Sequence, residues 1–322
     1  MINKIYKLIN NNFLKFLKFV FFIRYLLLIF FVSLVVFIVT PMFFDYEKRQ
    51  VAIKSHLEKN YNFKIVKIEN IKFYPFPLAK LELNNAVISL NSNKVDLITK
   101  KLIIYPKLVT LYNYKNFDSS KIKLDKNSIS TNFFSLKDIF KYILDIEKKI
   151  QIKNLNLVIN NFDKTLIKLN DISFSNYGYK QNTIEGKVFD KKFKINLKKK
   201  PKKIDFNLLE TGISISLKFS DNNQIEKVGN IKGKILNTKI KSDFSYNQKL
   251  IRIKNFYFRE KNLSFDSEGI VLLNPFFEIN LDAKLINLNN NIIKGVNLES
   301  LLNFKDFIKK INSNIIIGFN KK

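Results

Sequence analysis

The 322-residue chain contains no cysteine and no tryptophan, and its only histidine is His56. The missing cysteine excludes disulfides, thiolate metal sites and a cysteine nucleophile. A single histidine cannot form a multi-histidine metal site or serve in a conventional Ser-His-Asp triad. For His56 itself, the local pattern predicts an exposed position on a short helix.

Glycine is also scarce, with eight residues scattered singly along the chain. No G-x-G-x-x-G fingerprint, P-loop or G-x-S-x-G elbow occurs. Acidic residues alternate with apolar ones in strand-like stretches, which is typical of a solvated outer face. Because no recognisable catalytic constellation is present, we expect no enzymatic activity, no cofactor and no metal site.

Arginine contributes little to the formal net charge of +29, because only four of the 56 basic residues are arginines. Arginine is favoured for bidentate phosphate and base contacts, so an excess of lysine alone is a weak signal for nucleic acid. Lysine, asparagine, isoleucine and phenylalanine all have AT-rich codons, and a biased genome explains much of the charge. We expect no nucleic-acid partner. Attraction to anionic phospholipid surfaces, about 1 kcal/mol per close lysine, is the remaining physical consequence.

One long apolar run stands near the N-terminus, YLLLIFFVSLVVFIVTPMFF at 25–44. It has no formal charge, and as a helix it would extend roughly 30 Å, the hydrocarbon thickness of a bilayer. Buried core helices rarely run so long without a polar face. The run therefore predicts a membrane-spanning helix.

Flanking charges predict the orientation of that helix. Residues 1–24 contain five basic residues and no acidic one, whereas the segment after the span is mixed. This asymmetry predicts the N-terminus on the cytoplasmic side and the rest of the chain across the membrane, in a bacterial periplasm or an equivalent space. The apolar core is too long for a cleaved signal peptide, which favours an uncleaved signal anchor. We expect a basic cytoplasmic segment at 1–24, an anchor at 25–44 and a periplasmic β-rich domain at 45–322, with 13–23 as an interfacial lead-in.

Three further segments have helical patterns. Residues 46–60 follow Asp45, a candidate N-cap, and 135–149 begin at Ser135, a second candidate N-cap. The third helical segment is 295–311. The ending NIIIGFNKK resembles the start of a strand, which suggests either truncation or a last strand that caps an open sheet edge.

Elsewhere the apolar residues alternate with polar ones, the pattern of half-buried strands. Proline breaks at Pro75, Pro77 and Pro106 predict bends or edges. The strand-like runs have no constant repeat length, which argues against a propeller or a leucine-rich solenoid. The predicted fold is mainly β: an N-terminal transmembrane helix, then a long curved antiparallel sheet, as an open groove or an elongated β-roll, with few short helices. Clear alternation occurs at 154–160, 192–198, 203–209, 213–219 and 277–285.

The segment FKIVKIENIKFYPFPLAKLELNNAVISL at 63–90 resembles the opening block of the AsmA-like family, which includes the TamB-type proteins. The resemblance rests on the uncleaved anchor, the helix after it, the P-x-P step at Pro75 and Pro77, and the turn at 85–88. The helix at 135–149 with the strand after it, and the pair of strands at 264–285, are also similar to the family. The family implies a periplasmic β-groove anchored in the inner membrane and linked to phospholipid transport and outer-membrane homeostasis.

A one-sided sheet must cover its apolar face, and this chain has few helices to do so. An open trough would bind acyl chains of membrane phospholipid, whereas a closed β core would leave no groove. A different hypothesis is a structural or assembly factor that binds cell-envelope proteins at strand edges during outer-membrane protein biogenesis. A third option is an LptC-type adaptor for lipopolysaccharide, although that domain is shorter. The sequence does not indicate the oligomeric state or the lipid class. The candidate groove residues are Leu155, Leu157, Ile159, Ile213, Ile215, Leu217, Ile279 and Leu281.

Overall fold

The computed structural model describes residues 2–90, 95–132, 135–161, 164–200, 202–220, 227–247, 250–260, 263–272, 277–288 and 313–320. The chain is mainly β, with one long apolar N-terminal helix and a single open sheet of 17 strands. This confirms the predicted fold class. The predicted helix at 295–311 lies outside the described residues.

The N-terminal helix α1 extends over Ile2–Val39 and continues into a 3₁₀ turn, Thr40–Phe43. It runs without a break through the predicted lead-in at 13–23 and most of the predicted span. The stretch Lys15–Phe43 is long and apolar enough to cross a membrane, and its side chains are almost all exposed.

Helix α2 extends over Tyr46–Tyr61, and Asp45 caps it as predicted. The Asp45 carboxylate accepts hydrogen bonds from the backbone N–H groups of Glu47 at 3.1 Å and Lys48 at 3.2 Å. Asn62 ends the helix in the left-handed conformation, with φ of 52°.

Two shorter helices follow, α3 at Leu108–Tyr112 and α4 at Leu136–Asp145. The predicted cap of α4 is wrong, because Ser135 has helical angles (φ −76°, ψ −11°) and makes no side-chain capping bond. A capping side chain needs an extended backbone to reach back to the free N–H groups. Here the Asn132 side chain accepts the Ser135 N–H at 2.8 Å instead.

The first nine strands lie between α2 and the middle of the chain. They are β1 Phe63–Lys67, β2 Asn70–Tyr74, β3 Lys80–Leu90, β4 Val95–Pro106, β5 Ser119–Asn132, β6 Ile150–Asn161, β7 Lys164–Ser175, β8 Thr183–Val188 and β9 Lys191–Lys198. Pro75 and Pro77 lie in the turn between β2 and β3, and Pro106 ends β4, so all three prolines interrupt strands as predicted.

The remaining eight strands complete the sheet. They are β10 Lys203–Leu208, β11 Ile213–Phe219, β12 Lys227–Ile235, β13 Thr238–Tyr246, β14 Leu250–Arg259, β15 Leu263–Leu272, β16 Phe277–Leu288 and β17 Ser313–Asn320. The five alternating runs singled out in the sequence all fall on strands, which confirms them.

Each strand from β3 to β16 pairs with the next one along the chain, and β1 and β2 both pair with β3. Two of these pairs, β5–β6 and β16–β17, are parallel, which departs from the predicted all-antiparallel meander. A parallel pair needs a crossover connection, and α4 lies in the one between β5 and β6. At about 4.8 Å per strand, the sheet is roughly 70 Å wide from β2 to β17.

Candidate functional site: the apolar face of the sheet

One cross-strand row of residues runs through the sheet from β2 to β16. Each member pairs with the next, and every member is apolar except one glycine. This central row is Ile71, Leu83, Leu102, Leu124, Ile152, Phe174, Ile184, Ile195, Phe206, Ile215, Gly233, Ile240, Phe258, Phe265 and Leu285. Because the side-chain period of a strand is two, the row marks one face of the sheet, here called the apolar face.

Four strands bend at one level, which keeps their apolar side chains on this face. Asn85, Lys126, Asn154 and Asp171 have φ of 48°, 56°, 51° and 54° and form what we call the kink line. Their neighbours are in register, since Asn84 pairs with Lys101, Lys101 with Asp125 and Asp125 with Lys153. A residue in the left-handed backbone conformation adds one position to the strand, as a β-bulge does. The side chains of residues three apart across it, such as Leu83 and Ala86, therefore both point to the apolar face, and both are fully buried.

Polar side chains support the backbone at the kink line. The Asn154 side chain donates to the Asp125 carboxylate at 2.8 Å, and the buried Asn127 donates to the Lys153 carbonyl at 2.8 Å. The bends free backbone groups from the regular ladder, and the Asn127 side chain is a partner for one of them, the Lys153 carbonyl, while the Asn154–Asp125 bond joins two neighbouring strands through their side chains.

Helices α2 and α4 cover the N-terminal part of the apolar face. From α2, the side chains of Ile53, Leu57 and Tyr61 are buried in the core. From α4, Tyr142 stacks on Phe63 of β1 with ring centroids 5.8 Å apart. The central row is accordingly buried from β3 to β8, where no member is more than 8% exposed.

From β9 onwards the central row itself becomes half-buried, while other side chains of the same face stay buried, namely Phe193, Leu197, Leu208, Ile213, Phe244 and Val271. Row members Ile195, Phe206, Ile215, Ile240 and Phe258 are half-buried, while the intervening lysines of the opposite face, such as Lys232 and Lys241, are exposed. Aromatic pairs line this part, including Phe258 and Phe265 stacked at 4.7 Å. A contiguous, half-buried apolar strip backed by a charged opposite face is a candidate binding surface.

All eight predicted groove residues lie on the apolar face by register and alternation, but in three separate groups. Leu155, Leu157 and Ile159 of β6 are buried in the core, and Ile213 of β11 is buried as well. Ile215 and Leu217 of β11 and Leu281 of β16 are half-buried. Ile279 pairs with Val271 and Ile315, which places it in register on the same face. β6, β11 and β16 are five strands apart, about 24 Å each, so the groups share a surface but no single pocket.

Sequence reasoning missed the accessible members of β9, β10, β13 and β14 as site residues. Ile195, Ile204 and Phe206, for example, are half-buried and have the same alternation as the chosen residues. Only the pairing register, which depends on turns and kinks, identifies which alternating runs share one face.

The prediction that His56 is exposed is wrong. His56 is 7% exposed, and its Nε2 lies 2.8 Å from the Ser119 hydroxyl on β5. The Asn60 amide nitrogen lies 3.1 Å from both the His56 carbonyl oxygen and the His56 Nδ1. Burial lowers the pKa of His56, so the ring is neutral at physiological pH.

These contacts argue against Ser119 as a nucleophile that is activated by His56 acting as a general base. The carbonyl oxygen can only accept, so the Asn60 group facing it is the donating NH₂, and Nδ1 accepts from the same group. The proton of the neutral ring is then on Nε2, which donates to Ser119 instead of taking its proton. Among the residues that the structure describes, no group of three or more His, Asp or Glu side chains is arranged to hold a metal ion.

Comparison with known proteins does not identify the chain: no protein-family model and no curated protein matches it.

Proposed function

We propose that the protein is a membrane-anchored lipid-binding protein that holds or conducts phospholipid acyl chains along the apolar face from β9 to β16. The observation that carries the proposal is the unbroken central row, whose members become accessible beyond the part covered by α2 and α4. The sheet is open and not closed on itself, which suits a flexible apolar ligand lying along this face.

Physical chemistry favours acyl chains as the ligand. Burying one CH₂ group gains about 0.8 kcal/mol, which is similar to what the group gains in a bilayer. A chain that moves from the membrane to the apolar face therefore changes its free energy little per methylene. Because the row is continuous, an acyl chain that moves along it meets no polar side chain within the row.

The surroundings of the sheet agree with an envelope location. Helix α1 is long and apolar enough to span a membrane, and the basic N-terminal segment favours a cytoplasmic N-terminus. The sheet would then lie in the periplasm of a bacterium, anchored in the inner membrane. The resemblance to the AsmA-like family supports the same assignment and the link to outer-membrane lipid homeostasis.

Site-directed photocrosslinking of the full chain in bacterial membranes tests the proposal. A photoreactive phenylalanine analogue is placed at Ile215 or Leu217 on the apolar face, or at Ser214 or Ser216 as matched controls on the opposite face of the same strand. Covalent adducts are identified by mass spectrometry. We expect phospholipid adducts at Ile215 and Leu217 and none at the serines, because successive side chains point to opposite faces.

A second candidate is an assembly factor that binds envelope proteins at a strand edge. It is favoured by the last described strand, β17, which among the described residues pairs only with β16 and so presents a second edge. Protein adducts without lipid adducts at Ile215 would support this candidate and overturn the lipid proposal. Lipopolysaccharide adducts in place of phospholipid would instead revive the export-adaptor interpretation.

A further inference from the structure

The end of α1 is fastened to the β domain by an aromatic contact. The Tyr112 hydroxyl, at the end of α3, donates to the Phe37 carbonyl of α1 at 2.5 Å. The two rings are stacked with centroids 4.8 Å apart, and Phe44 packs edge-on against Tyr112 at 5.4 Å. Helix α3 therefore lies beside the last turns of α1.

This contact determines the depth of α3. Helix α1 ends at Val39, so Phe37 lies in its last turn, two residues or about 3 Å from the helix end. If the end of α1 marks the boundary of the hydrocarbon region, Tyr112 lies at the membrane interface, where tyrosine is enriched. On the same short helix, Val109 is 73% exposed although it is apolar.

The β2–β3 turn reaches the same level. The Tyr46 hydroxyl donates to the Pro41 carbonyl at 2.8 Å, and the Tyr46 ring stacks on Phe73 near the end of β2 at 6.3 Å. The strand thus runs towards the end of α1, and its turn continues in that direction. At the turn, Phe76 is 58% and Leu78 62% exposed.

The α3 segment is held in place by side-chain contacts, and the negative charge beside it is compensated. Arg49 donates to the Leu111 carbonyl at 2.6 Å and lies 3.9 Å above the Phe44 ring. In the α3 loop, Lys107 pairs with Asp118 at 2.5 Å. Val109 and Tyr112 are therefore presented by an ordered segment, and the neighbouring carboxylate of Asp118 is compensated by Lys107 and would not repel lipid phosphates.

We propose that Phe76, Leu78, Val109 and Tyr112 form a docking surface that inserts into the interface of the bilayer holding α1. The inference rests on the proposed membrane anchoring by α1, and it adds that the β domain sits directly on the lipid surface. The domain then has a fixed orientation, with α2 and the start of the sheet against the bilayer.

The absence of native cysteine makes the surface easy to probe. Single-cysteine variants of the full chain, F76C, L78C and V109C, are labelled with an environment-sensitive fluorophore and reconstituted into vesicles of phosphatidylethanolamine and phosphatidylglycerol. The matched control is I98C, because Ile98 is a 54% exposed apolar residue on β4, about 26 Å from the end of that strand. Emission wavelength, quenching by iodide in water and quenching by spin-labelled lipid are measured.

We expect blue-shifted emission, quenching by the spin-labelled lipid and protection from iodide at 76, 78 and 109, with the reverse at 98. Iodide quenching at all three positions equal to that at 98, in protein that resists alkaline extraction from the vesicles, would overturn the docking surface but leave the anchor intact. Protection from iodide without lipid quenching would also overturn it, since it would indicate a protein partner or a second copy. Release of the protein by alkaline extraction would overturn the anchor itself.

Discussion

His56 illustrates how a residue without any periodic signal is fixed by distant partners. Its contact with Ser119 joins α2 to β5 across 63 residues of sequence, and the Tyr61 hydroxyl lies 3.3 Å from the same serine. The ring also packs edge-on against Phe117 at 5.1 Å. No local pattern in the sequence indicates such a pairing, which is why an exposed histidine was predicted.

Burial of His56 predicts a pH-dependent stability. Because its pKa is lowered in the folded state, the unfolded chain binds more protons as the pH falls below about 6.5. The stabilising contribution is complete above that pH and is lost as the pH falls towards the folded-state pKa, by at most about 1.4 kcal/mol per pH unit. Urea unfolding of the full chain in detergent, followed between about pH 7.5 and pH 5.5, measures this slope.

The control for this prediction is His56→Gln, which keeps hydrogen-bonding capacity but does not titrate. Since His56 is the only histidine in the chain, the variant should flatten the pH dependence in this window. An equally steep slope in the variant would contradict the assignment to His56.

Among the elements, the strands were the most predictable and their kinks the least. β9, β10 and β11 alternate strictly, and their sequence bounds agree with the structure within one residue. The kink line was not predicted, because a left-handed residue such as Lys126 changes the period for a single step and leaves no composition signal. The parallel pairing of β5 and β6 was missed for a similar reason, since it depends on where the crossover through α4 returns the chain.

The kink in β5 predicts the effect of glycine there. Lys126 is exposed and has φ of 56°, a conformation that costs a lysine roughly 1 kcal/mol and a glycine almost nothing. Lys126→Gly should therefore be neutral or raise the free energy of unfolding by up to about 1 kcal/mol. Thermal or urea unfolding in detergent provides the measurement.

Lys123→Gly is the matched control on the same strand. Lys123 pairs regularly with Ile103 and Gln151 and is outside the kink line, so glycine should lower the stability there by about 0.5–1 kcal/mol. Equal destabilisation by both substitutions would contradict a left-handed backbone conformation at Lys126.

For the whole molecule, the sequence predicted a mainly β chain behind one apolar helix but not the extent of its continuous surface. Alternation identifies which residues of a strand are apolar, whereas the continuity of the central row requires every register from β2 to β16 to agree. That agreement results from the turns, the kink line and the crossover together. It is also what distinguishes one apolar surface, about 34 Å wide over its half-buried part from β9 to β16, from a series of separate apolar patches.

Continuity of this surface is the central claim, and a single charge in the row tests it most directly. Ile215→Asp places a carboxylate on the apolar face, and Ser216→Asp places one on the opposite face of the same strand. A photoreactive residue at Phe258 then reports lipid three strands beyond the substitution, and one at Ile195 reports lipid two strands before it. If lipid passes along the row from β9 towards β16, Ile215→Asp should abolish lipid adducts at Phe258 and retain those at Ile195, while Ser216→Asp changes neither. Undiminished adducts at Phe258 in Ile215→Asp would contradict a continuous lipid-conducting face.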